Sequence, residues 1–392
     1  MNDQKVKWID LLLIFYVIYC SGTPVATYYY KYFTIINCII GILFLLLQTK
    51  VDKKSTLAII LIIFSIIIAQ VINLDIDYTT PIAIFFICVF AYSVSQRVSF
   101  ADFEYAFSNI MVIISVCSIV LYMVMRIRPD FVFKLPIFQG TSIYPHICYL
   151  FFLPAMSHLY PSALTRNEAM FCEMGIYAFM LIFAIIMLMD QNDKKQRLQA
   201  IILMISLVTT FSTTGFFAIL FLLPELYYRF FRGYKFNMFI ICLAFALGYM
   251  KKDAIFSILF SKFNSSSGDY GSFLIRFQGT ISDIQIFLKN PFGNGITKYM
   301  DGGIGSANTV TYMAAVFGIV CSLVVIGGAI MALTCVKGRL FKVMRIMAIA
   351  VCFFTQGMTT YPLLYLLTFY GYRRKSIRRS LYENSNGELC EW

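Results

Sequence analysis

The chain has 392 residues, of which 60% are apolar and 13% are charged, and its mean hydropathy is +0.77. In a soluble domain about a quarter of the residues are charged, so this composition excludes an ordinary soluble protein and indicates a chain embedded in a membrane. The formal net charge of +12 at first suggests nucleic acid as a partner. No soluble element carries a basic face interleaved with aromatic residues, so we expect no nucleic acid to bind.

Apolar runs bounded by charged or turn residues predict an all-α, polytopic integral membrane protein of about 12 transmembrane helices. The runs 199–212, 341–357 and 360–372 are short for a full span, so each can be a half-helix or part of a broken pair. We expect one transmembrane domain over 1–372 and a cytoplasmic tail over 373–392. The predicted spans are 8–24, 32–49, 56–73, 80–96, 109–125, 170–189, 199–212, 214–231, 236–250, 308–335, 341–357 and 360–372.

The positions of Lys and Arg predict which side of the membrane each connection faces. With the N-terminus in the cytoplasm, most of the 32 basic residues lie in short inner loops or in the two chain ends. The positive charge is therefore mainly a topology signal, and both termini are predicted to be cytoplasmic. Two long loops, about 126–169 and about 251–307, then face outward, and long loops on a rigid scaffold often carry function.

The first outer loop ends in the stretch Arg166–Tyr177, which leads into an apolar helix. On a helix, Arg166 and Glu173 would be close to two turns apart and would share one face, with Tyr177 one turn further. This spacing predicts an ion pair that lowers the cost of placing charge at the membrane. The alternative is an arginine that binds an anion beside a carboxylate that orients or deprotonates a hydroxyl.

The second outer loop contains apolar residues at helical spacing, which predict an amphipathic helix lying at the membrane surface. Arg276, Thr280 and Asp283 occupy another face of that helix. The segment Asn290–Gly295 follows, and its two glycines allow the backbone to approach a ligand or another segment closely. A helix cap followed by an ordinary loop is the simpler alternative. The apolar residues are Phe273, Phe277, Ile281, Ile284 and Leu288.

No cluster in the sequence has the spacing of a metal site, and we expect no metal and no other cofactor. The two histidines, His146 and His158, are isolated, and the pair Asp75 and Asp77 only approaches a divalent-ion spacing. Phosphate-loop and dinucleotide-binding motifs are absent. The 11 cysteines are scattered and are predicted to be packing residues.

Three short stretches together resemble a known family. Arg166-Asn167 followed by Phe171–Ala178 is similar to the "R-N … F-W-E-P-G-x-Y-A" stretch of Wzy-type polysaccharide repeat-unit polymerases. Ser212–Phe216 resembles the "S-T-T/S-G" start of a following span in that family. Arg276 and Asn290–Gly295 resemble its "R … N-P-h-x-G-x-G" outer loop. The stretches occur in the family's order, and the many spans and large outer loop extend the likeness over most of the chain.

The sequence departs from the family pattern at two positions. Cys172 stands where Trp is usual and Met174 where Pro is usual, so the turn before the helix is less rigid here. The related O-antigen ligases resemble the same plan but carry a histidine in the large outer loop. No histidine occurs over 251–307, which favours a polymerase over a ligase.

The resemblance implies a glycosyltransferase in the bacterial plasma membrane that joins oligosaccharide units carried on undecaprenyl diphosphate. Arg166 and Arg276 would stabilise the departing diphosphate, and Glu173 would orient or deprotonate the attacking hydroxyl. Membrane lipid is an implied partner, and a chain-length regulator is a possible one. Further residues expected to contact substrate are Tyr177, Arg126, Arg128, His146, Asn290, Gly293 and Gly295.

A transporter of another class, such as a flippase for lipid-linked oligosaccharides, is the main rival. It predicts charged residues within central spans and little need for long outer loops. The spans 56–73 and 109–125 hold no charge, and Glu225 is predicted to be interfacial near a cytoplasmic end. A purely structural membrane protein is the third alternative.

Overall fold

In the computed structural model, the described residues are 7–48, 51–75, 77–127, 166–191, 196–231, 268–302, 308–336 and 338–384. Every regular element within these ranges is a helix, which confirms the predicted all-α class. The first six helices are α1 (Trp8–Cys20), α2 (Pro24–Tyr28), α3 (Tyr30–Leu46), α4 (Lys53–Asn73), α5 (Thr79–Arg97) and α6 (Phe100–Ile127). The others are α7 (Met174–Asp190), α8 (Gln196–Thr209), α9 (Thr213–Leu226), α10 (Gly268–Lys289), α11 (Ile296–Gly302), α12 (Thr309–Leu333), α13 (Arg339–Thr355) and α14 (Pro362–Asn384).

Four of these helices are long and apolar enough to cross a membrane, namely α4, α5, α6 over Phe100–Val124, and α12. The helices α1, α3, α7 and α8 are also apolar but shorter. Together with the composition, they indicate a membrane-embedded protein. The predicted count of about 12 spans stays a prediction, and the predicted span 236–250 lies outside the described residues.

The centre of the fold is α7, in which every residue from Gly175 to Met189 is buried. A helix that is apolar on all sides is typical of a protein core or a membrane span, and α7 packs against α6, α8, α9 and α13. Its ends differ from its middle, because Glu173 precedes it and Asp190 closes it. The two charged groups therefore mark opposite ends of one buried helix.

Small residues bring α12 and α14 into close contact. A Cβ atom added at Gly328 would lie 2.8 Å from the carbonyl oxygen of Thr368, so only glycine permits this approach. The Thr368 hydroxyl donates to the carbonyl of Val325 across the same interface at 2.9 Å. The run predicted as the short span 360–372 forms the first part of a longer helix, Pro362–Asn384.

The helix α12 is interrupted at Gly318, whose φ of 88° and ψ of 167° are not helical. The segment Asn290–Gly295 supplies the hydrogen bonds that the break removes. The N–H of Asn294 donates to the carbonyl of Ala315 at 2.9 Å, and the N–H of Gly295 donates to the carbonyl of Val316 at 3.1 Å. Backbone groups within a membrane need such partners. The two glycines of Asn290–Gly295 therefore allow this segment to approach α12 closely.

A buried charge network joins the end of α7 to α9 and α13. Arg345 donates to Glu225 through Nε at 2.8 Å and Nη2 at 2.7 Å, and to Asp190 through Nη1 at 2.9 Å and Nη2 at 2.8 Å. Arg229 adds an ion pair to Glu225 at 2.9 Å. The prediction that Glu225 lies at a membrane interface stays a prediction, and its side chain is 0% exposed between two arginines.

The predicted amphipathic helix of the second outer loop is present as α10, Gly268–Lys289. Its polar residue Asp283 is fully buried and accepts hydrogen bonds from Tyr299 at 2.8 Å and Thr311 at 2.7 Å. Its apolar residues Ile281 and Leu288 are exposed. The polar face of α10 therefore packs on the protein, and its apolar stripe points away from it.

Candidate functional site

The segment Arg166–Glu173 forms an irregular loop, and the helix begins only at Met174. The prediction that Arg166 and Glu173 share one helix face is wrong. Asn167 prevents the helix, because its side-chain oxygen accepts the N–H of Ala169 at 3.0 Å and Ala169 takes a positive φ of 49°. The N–H of Asn167 donates to the carbonyl of Thr209 at 3.0 Å, which ties the loop to the end of α8.

The loop is held at both ends. Near its second end, the N–H of Cys172 donates to the carbonyl of Gly22 at 2.8 Å. Near its first end, the side-chain nitrogen of Asn167 donates to the hydroxyl of Ser118 at 3.2 Å. Gly175, at the start of α7, lies against Gln356 so closely that a side chain there would collide with it. Three different parts of the chain therefore hold the loop in one conformation.

Glu173 and Arg276 form the ion pair of this site, although they are far apart in the sequence. Their closest side-chain atoms, Nη2 of Arg276 and Oε2 of Glu173, are 3.5 Å apart. Arg276 also donates through Nη1 to the carbonyl of Thr355 at 3.0 Å, which fixes its guanidinium group. The side chain of Arg276 is 34% exposed and that of Glu173 is 50% exposed, so both groups are accessible to a ligand. The structure thus brings together two of the three predicted catalytic residues.

Arg166 lies on the same loop and is partly buried. Its Nη1 atom is 3.1 Å from the sulfur of Met174, the residue that stands where the resembled family has Pro. Arg166 therefore contacts the residue that follows Glu173. Burial raises the pKa of the Glu168 carboxyl, and the positive charge of Arg166 opposes that rise.

Glu168 is a member of the site that sequence reasoning missed. The residue is only 4% exposed. Burial raises the pKa of Glu168 well above its ordinary value, and the nearby Glu173 carboxylate raises it further. Its position in the same charged stretch was a visible signal, but its burial depends on segments remote in the sequence.

Residues from each of the three stretches that resemble the polymerase family lie near the start of α7, whereas Asn290–Gly295 lies elsewhere. Gly215, from the second stretch, packs against Ala178, from the first, because a Cβ at Gly215 would lie 3.0 Å from that of Ala178. Thr214 donates to the hydroxyl of Thr355 at 3.0 Å, and Arg276 binds the carbonyl of the same residue. Residues that are distant in sequence thus converge on one end of α7.

Tyr177 lies away from any accessible surface. Its side chain is 0% exposed, and its hydroxyl contacts those of Ser206 at 2.6 Å, Ser118 at 3.0 Å and Ser115 at 3.2 Å. A residue enclosed in this way packs α7 against α6 and α8. Its geometry does not fit the expected contact with a sugar.

Asn290, Gly293 and Gly295 also lie apart from the ion pair, because α10 places about 20 Å of helix between Arg276 and Asn290. The side chain of Asn290 donates to the carbonyl of Gly293 at 2.7 Å, closing the turn. Gly293 has a φ of 100°, and the carbonyl of that residue also accepts from Asn73 at 2.8 Å. These groups build the contact with α12, and their geometry does not fit the expected contact with substrate.

Three further predicted contacts cannot be placed. Arg128 and His146 lie outside the described residues, and so does the side chain of Arg126, whose backbone belongs to α6. The predicted outer loop 126–169 is described only at its two ends, over 126–127 and 166–169.

The aspartates near the second loop serve as helix caps. Asp75 accepts the N–H groups of Ile296 and Thr297 at the start of α11, together with the hydroxyl of Thr297. Burial raises the pKa of Asp75, but these hydrogen bonds outweigh that effect and hold it below its ordinary value. Asp77 accepts the N–H of Thr79 at 2.9 Å. Within the described ranges, no group of three or more His, Cys, Asp or Glu residues is arranged to hold a metal ion.

No family model matches the chain, and no curated protein and no solved structure matches it. What the site offers is an accessible carboxylate paired with an accessible arginine, beside a second arginine and a buried carboxyl. A carboxylate can accept a proton from a hydroxyl, and guanidinium groups can bind the oxygens of a phosphate. These groups are compatible with attack by a hydroxyl on a centre that carries an anionic leaving group.

Proposed function

We propose that the chain is a membrane glycosyltransferase that polymerises oligosaccharide repeat units carried on a polyprenyl diphosphate, undecaprenyl diphosphate in bacteria. The observation that carries the proposal is the accessible ion pair between Glu173 and Arg276, next to Arg166. The motif order that resembles Wzy-type polymerases supports it, because the pair joins Glu173 of the first resembling stretch to Arg276 of the third. The product would be O-antigen, capsule or exopolysaccharide.

In the proposed reaction, a hydroxyl oxygen of the incoming unit attacks the anomeric carbon of the growing chain. The bond between that carbon and the diphosphate oxygen breaks, and the bonding electrons leave with the diphosphate. Glu173 accepts the hydroxyl proton, and Arg276 and Arg166 stabilise the charge that develops on the leaving group. The energy stored in the diphosphate bond drives the transfer, so the reaction needs no nucleotide.

The proposal places the site on the outer face of the bacterial plasma membrane. It assigns about 12 spans to the chain and puts both termini in the cytoplasm, because of the distribution of Lys and Arg. The polyprenyl tails would lie in membrane lipid, and a chain-length regulator would be a further partner. The exposed apolar stripe of α10 is consistent with a helix that borders lipid on this face.

Purified protein in lipid nanodiscs, given a synthetic undecaprenyl-diphosphate oligosaccharide, tests the proposal. We expect a ladder of longer products without added nucleotide. The variants Glu173→Gln and Arg276→Met should each reduce chain growth by about 100-fold or more, as is usual for groups that act on the reacting atoms. Arg97→Met is the matched control, because it removes an arginine from another partly exposed ion pair, with Asp10 at 3.0 Å. A full ladder from both site variants would refute the assignment.

A lipid-linked oligosaccharide flippase is the second candidate, and one observation favours it. The network of Asp190, Glu225 and Arg345 places charge inside the helical bundle, where transporters often carry it. Sealed proteoliposomes with a fluorescent lipid-linked oligosaccharide distinguish the two functions. Movement of the probe between leaflets without chain growth would favour the flippase, whereas chain growth without movement would favour the polymerase.

A further inference from the structure

Four tyrosines lie within five residues where α2 ends and α3 begins, namely Tyr28, Tyr29, Tyr30 and Tyr32. We call them the tyrosine patch. Three of them are exposed, at 49% for Tyr28, 45% for Tyr30 and 66% for Tyr32. A lone exposed aromatic residue is ordinary, whereas a contiguous exposed patch marks a contact with a ligand, another protein or a membrane.

The rings of the tyrosine patch hold one another in place. The ring centroids of Tyr28 and Tyr29 are 4.8 Å apart at an interplanar angle of 90°, and those of Tyr29 and Tyr32 are 6.0 Å apart at 60°. Edge-to-face pairs of this kind are a favoured geometry of aromatic side chains. The helix α3 is itself held closely by α5, because a Cβ added at Gly41 would lie 3.0 Å from the backbone of Phe90. The patch is therefore preorganised, which lowers the entropy that a ligand loses on binding.

The tyrosine patch lies beside the loop that carries Glu173. The hydroxyl oxygen of Thr27 is 3.5 Å from the sulfur of Cys172, and the N–H of Cys172 donates to the carbonyl of Gly22 at 2.8 Å. Tyr28 directly follows Thr27 and Glu173 directly follows Cys172, so each is about 3.8 Å, from Cα to Cα, from one partner of the contact. A direct contact between side chains therefore joins the patch to the candidate site.

The patch and the ion pair offer complementary chemistry. Glu173 and Arg276 are charged, and they suit the proton of a hydroxyl and the oxygens of a diphosphate. A tyrosine offers an apolar ring and a hydroxyl that both donates and accepts hydrogen bonds. A sugar ring has the matching character, because its C–H groups form apolar faces and its hydroxyls lie around the rim. The patch therefore fits the saccharide part of a substrate whose charged part lies at the ion pair.

We propose that the tyrosine patch is a saccharide-binding surface, which holds the sugar rings of an oligosaccharide whose reacting end lies at Glu173 and Arg276. The inference deepens the proposed function and rests on it for the reaction, but not for the binding of sugar. The contacts lie away from the bond that breaks, so they stabilise the bound substrate and the transition state equally. Their removal should therefore raise KM and leave kcat nearly unchanged.

Binding of a lipid-free probe tests the surface without chain growth. The probe is the oligosaccharide that mild acid releases from the polyprenyl-linked glycans of the cells that contain this protein, labelled with a fluorophore. In nanodiscs, fluorescence polarisation should show that the double variant Tyr28→Ala/Tyr32→Ala binds the probe about 10-fold more weakly than wild type. Tyr28→Phe/Tyr32→Phe keeps both rings and should lose less affinity than the alanine variant. Tyr78→Ala is the matched control, because it removes a tyrosine that is 57% exposed at the start of α5, and it should bind as wild type does.

The chain-growth assay adds a kinetic readout with the same variants. We expect the double alanine variant to raise KM by about 10-fold and to change kcat by less than about 2-fold. Thermal unfolding and flotation with liposomes report whether each variant is folded and remains in the membrane. If the double variant does not fold, Tyr32→Ala alone replaces it, because Tyr32 is the most exposed member of the patch.

Two results would overturn the inference. One is a wild-type protein that does not bind the probe. The other is an alanine variant that binds the probe as tightly as wild type, and weaker flotation of that variant would then make the patch a membrane anchor. Sugar binding that depends on the patch, without any chain growth, would refute the proposed function and leave the surface standing. Chain growth with unaltered binding by the alanine variant would do the reverse.

Discussion

Arg345 and Glu225 form a two-point ion pair in which both side chains are completely buried, with nitrogen–oxygen distances of 2.8 and 2.7 Å. Arg345 makes a similar two-point contact with Asp190, and Arg229 brings a second positive charge to Glu225. Two arginines therefore face two carboxylates, so the network carries no net charge. It connects the end of α7 to α9 and α13 at the opposite end of α7 from the candidate site.

We expect Arg345→Met to destabilise the protein by about 3–5 kcal/mol, because it leaves Glu225 and Asp190 buried without their main partner. The midpoint of thermal unfolding in detergent measures this change. Combining R345M with Glu225→Gln should restore part of the loss, since one unpaired charge is then removed. Arg97→Met, at a partly exposed pair, should change stability by less than about 1 kcal/mol. Equal midpoints for R345M and R97M would contradict this expectation.

Gly293→Ala should destabilise the contact between the second outer loop and α12. The residue has a φ of 100°, and an added Cβ would lie 2.6 Å from the carbonyl oxygen of Val316. We expect a loss of about 1–3 kcal/mol from backbone strain and overpacking. Gly327→Ala is the matched control, because a Cβ there meets nothing within 4 Å. It should be neutral or slightly stabilising, and a similar loss from both variants would refute the close-contact explanation.

Tyr177→Phe tests whether this residue belongs to the core or to the substrate path. The substitution leaves the hydroxyls of Ser115, Ser118 and Ser206 without their shared partner, which should cost about 1–3 kcal/mol. The rate of chain growth per folded molecule should remain at the wild-type level. Tyr78→Phe, at an exposed tyrosine, should change neither quantity. A lower rate of chain growth with an unchanged free energy of unfolding would indicate that Tyr177 contacts the substrate.

The pH dependence of stability should show the raised pKa of Glu168. Burial and the Glu173 carboxylate raise the pKa of Glu168. The folded protein therefore holds a proton that the unfolded chain releases near the ordinary glutamate pKa of about 4.3. The contribution of Glu168 to stability is fully present below that pH and is lost as the pH rises through the folded-state pKa. Thermal unfolding between pH 5 and pH 9 should show a smaller decline for Glu168→Gln than for wild type. Parallel declines would contradict the raised pKa.

The sequence was sufficient to predict most helices that are described. The span predicted over 80–96 is the helix Thr79–Arg97, and that predicted over 308–335 is Thr309–Leu333, because long apolar runs have few alternatives in lipid. The interruption at Gly318 was not predictable in this way. Its stability depends on hydrogen bonds from Asn294 and Gly295, which a local pattern does not contain.

The sequence predicted two of the residues of the candidate site but not the conformation of the loop that holds them. Glu173 and Arg276 were identified from charge placement and from the family resemblance, and the structure pairs them. The loop conformation was missed because it depends on Asn167 binding Thr209, a residue more than a helix away. Glu168 was missed because its pKa follows from burial by distant segments, which a charge in a sequence does not reveal.

The break in α12 makes the second outer loop part of the membrane domain. The carbonyls of Ala315 and Val316 find their partners only in the turn that ends at Gly295, and Pro291 in turn accepts the N–H of Ile319 at 3.0 Å. The loop is therefore not a modular attachment. A chimera that receives this loop from another protein would need the matching half of α12 as well, since either segment alone would bring unsatisfied backbone groups into the bundle.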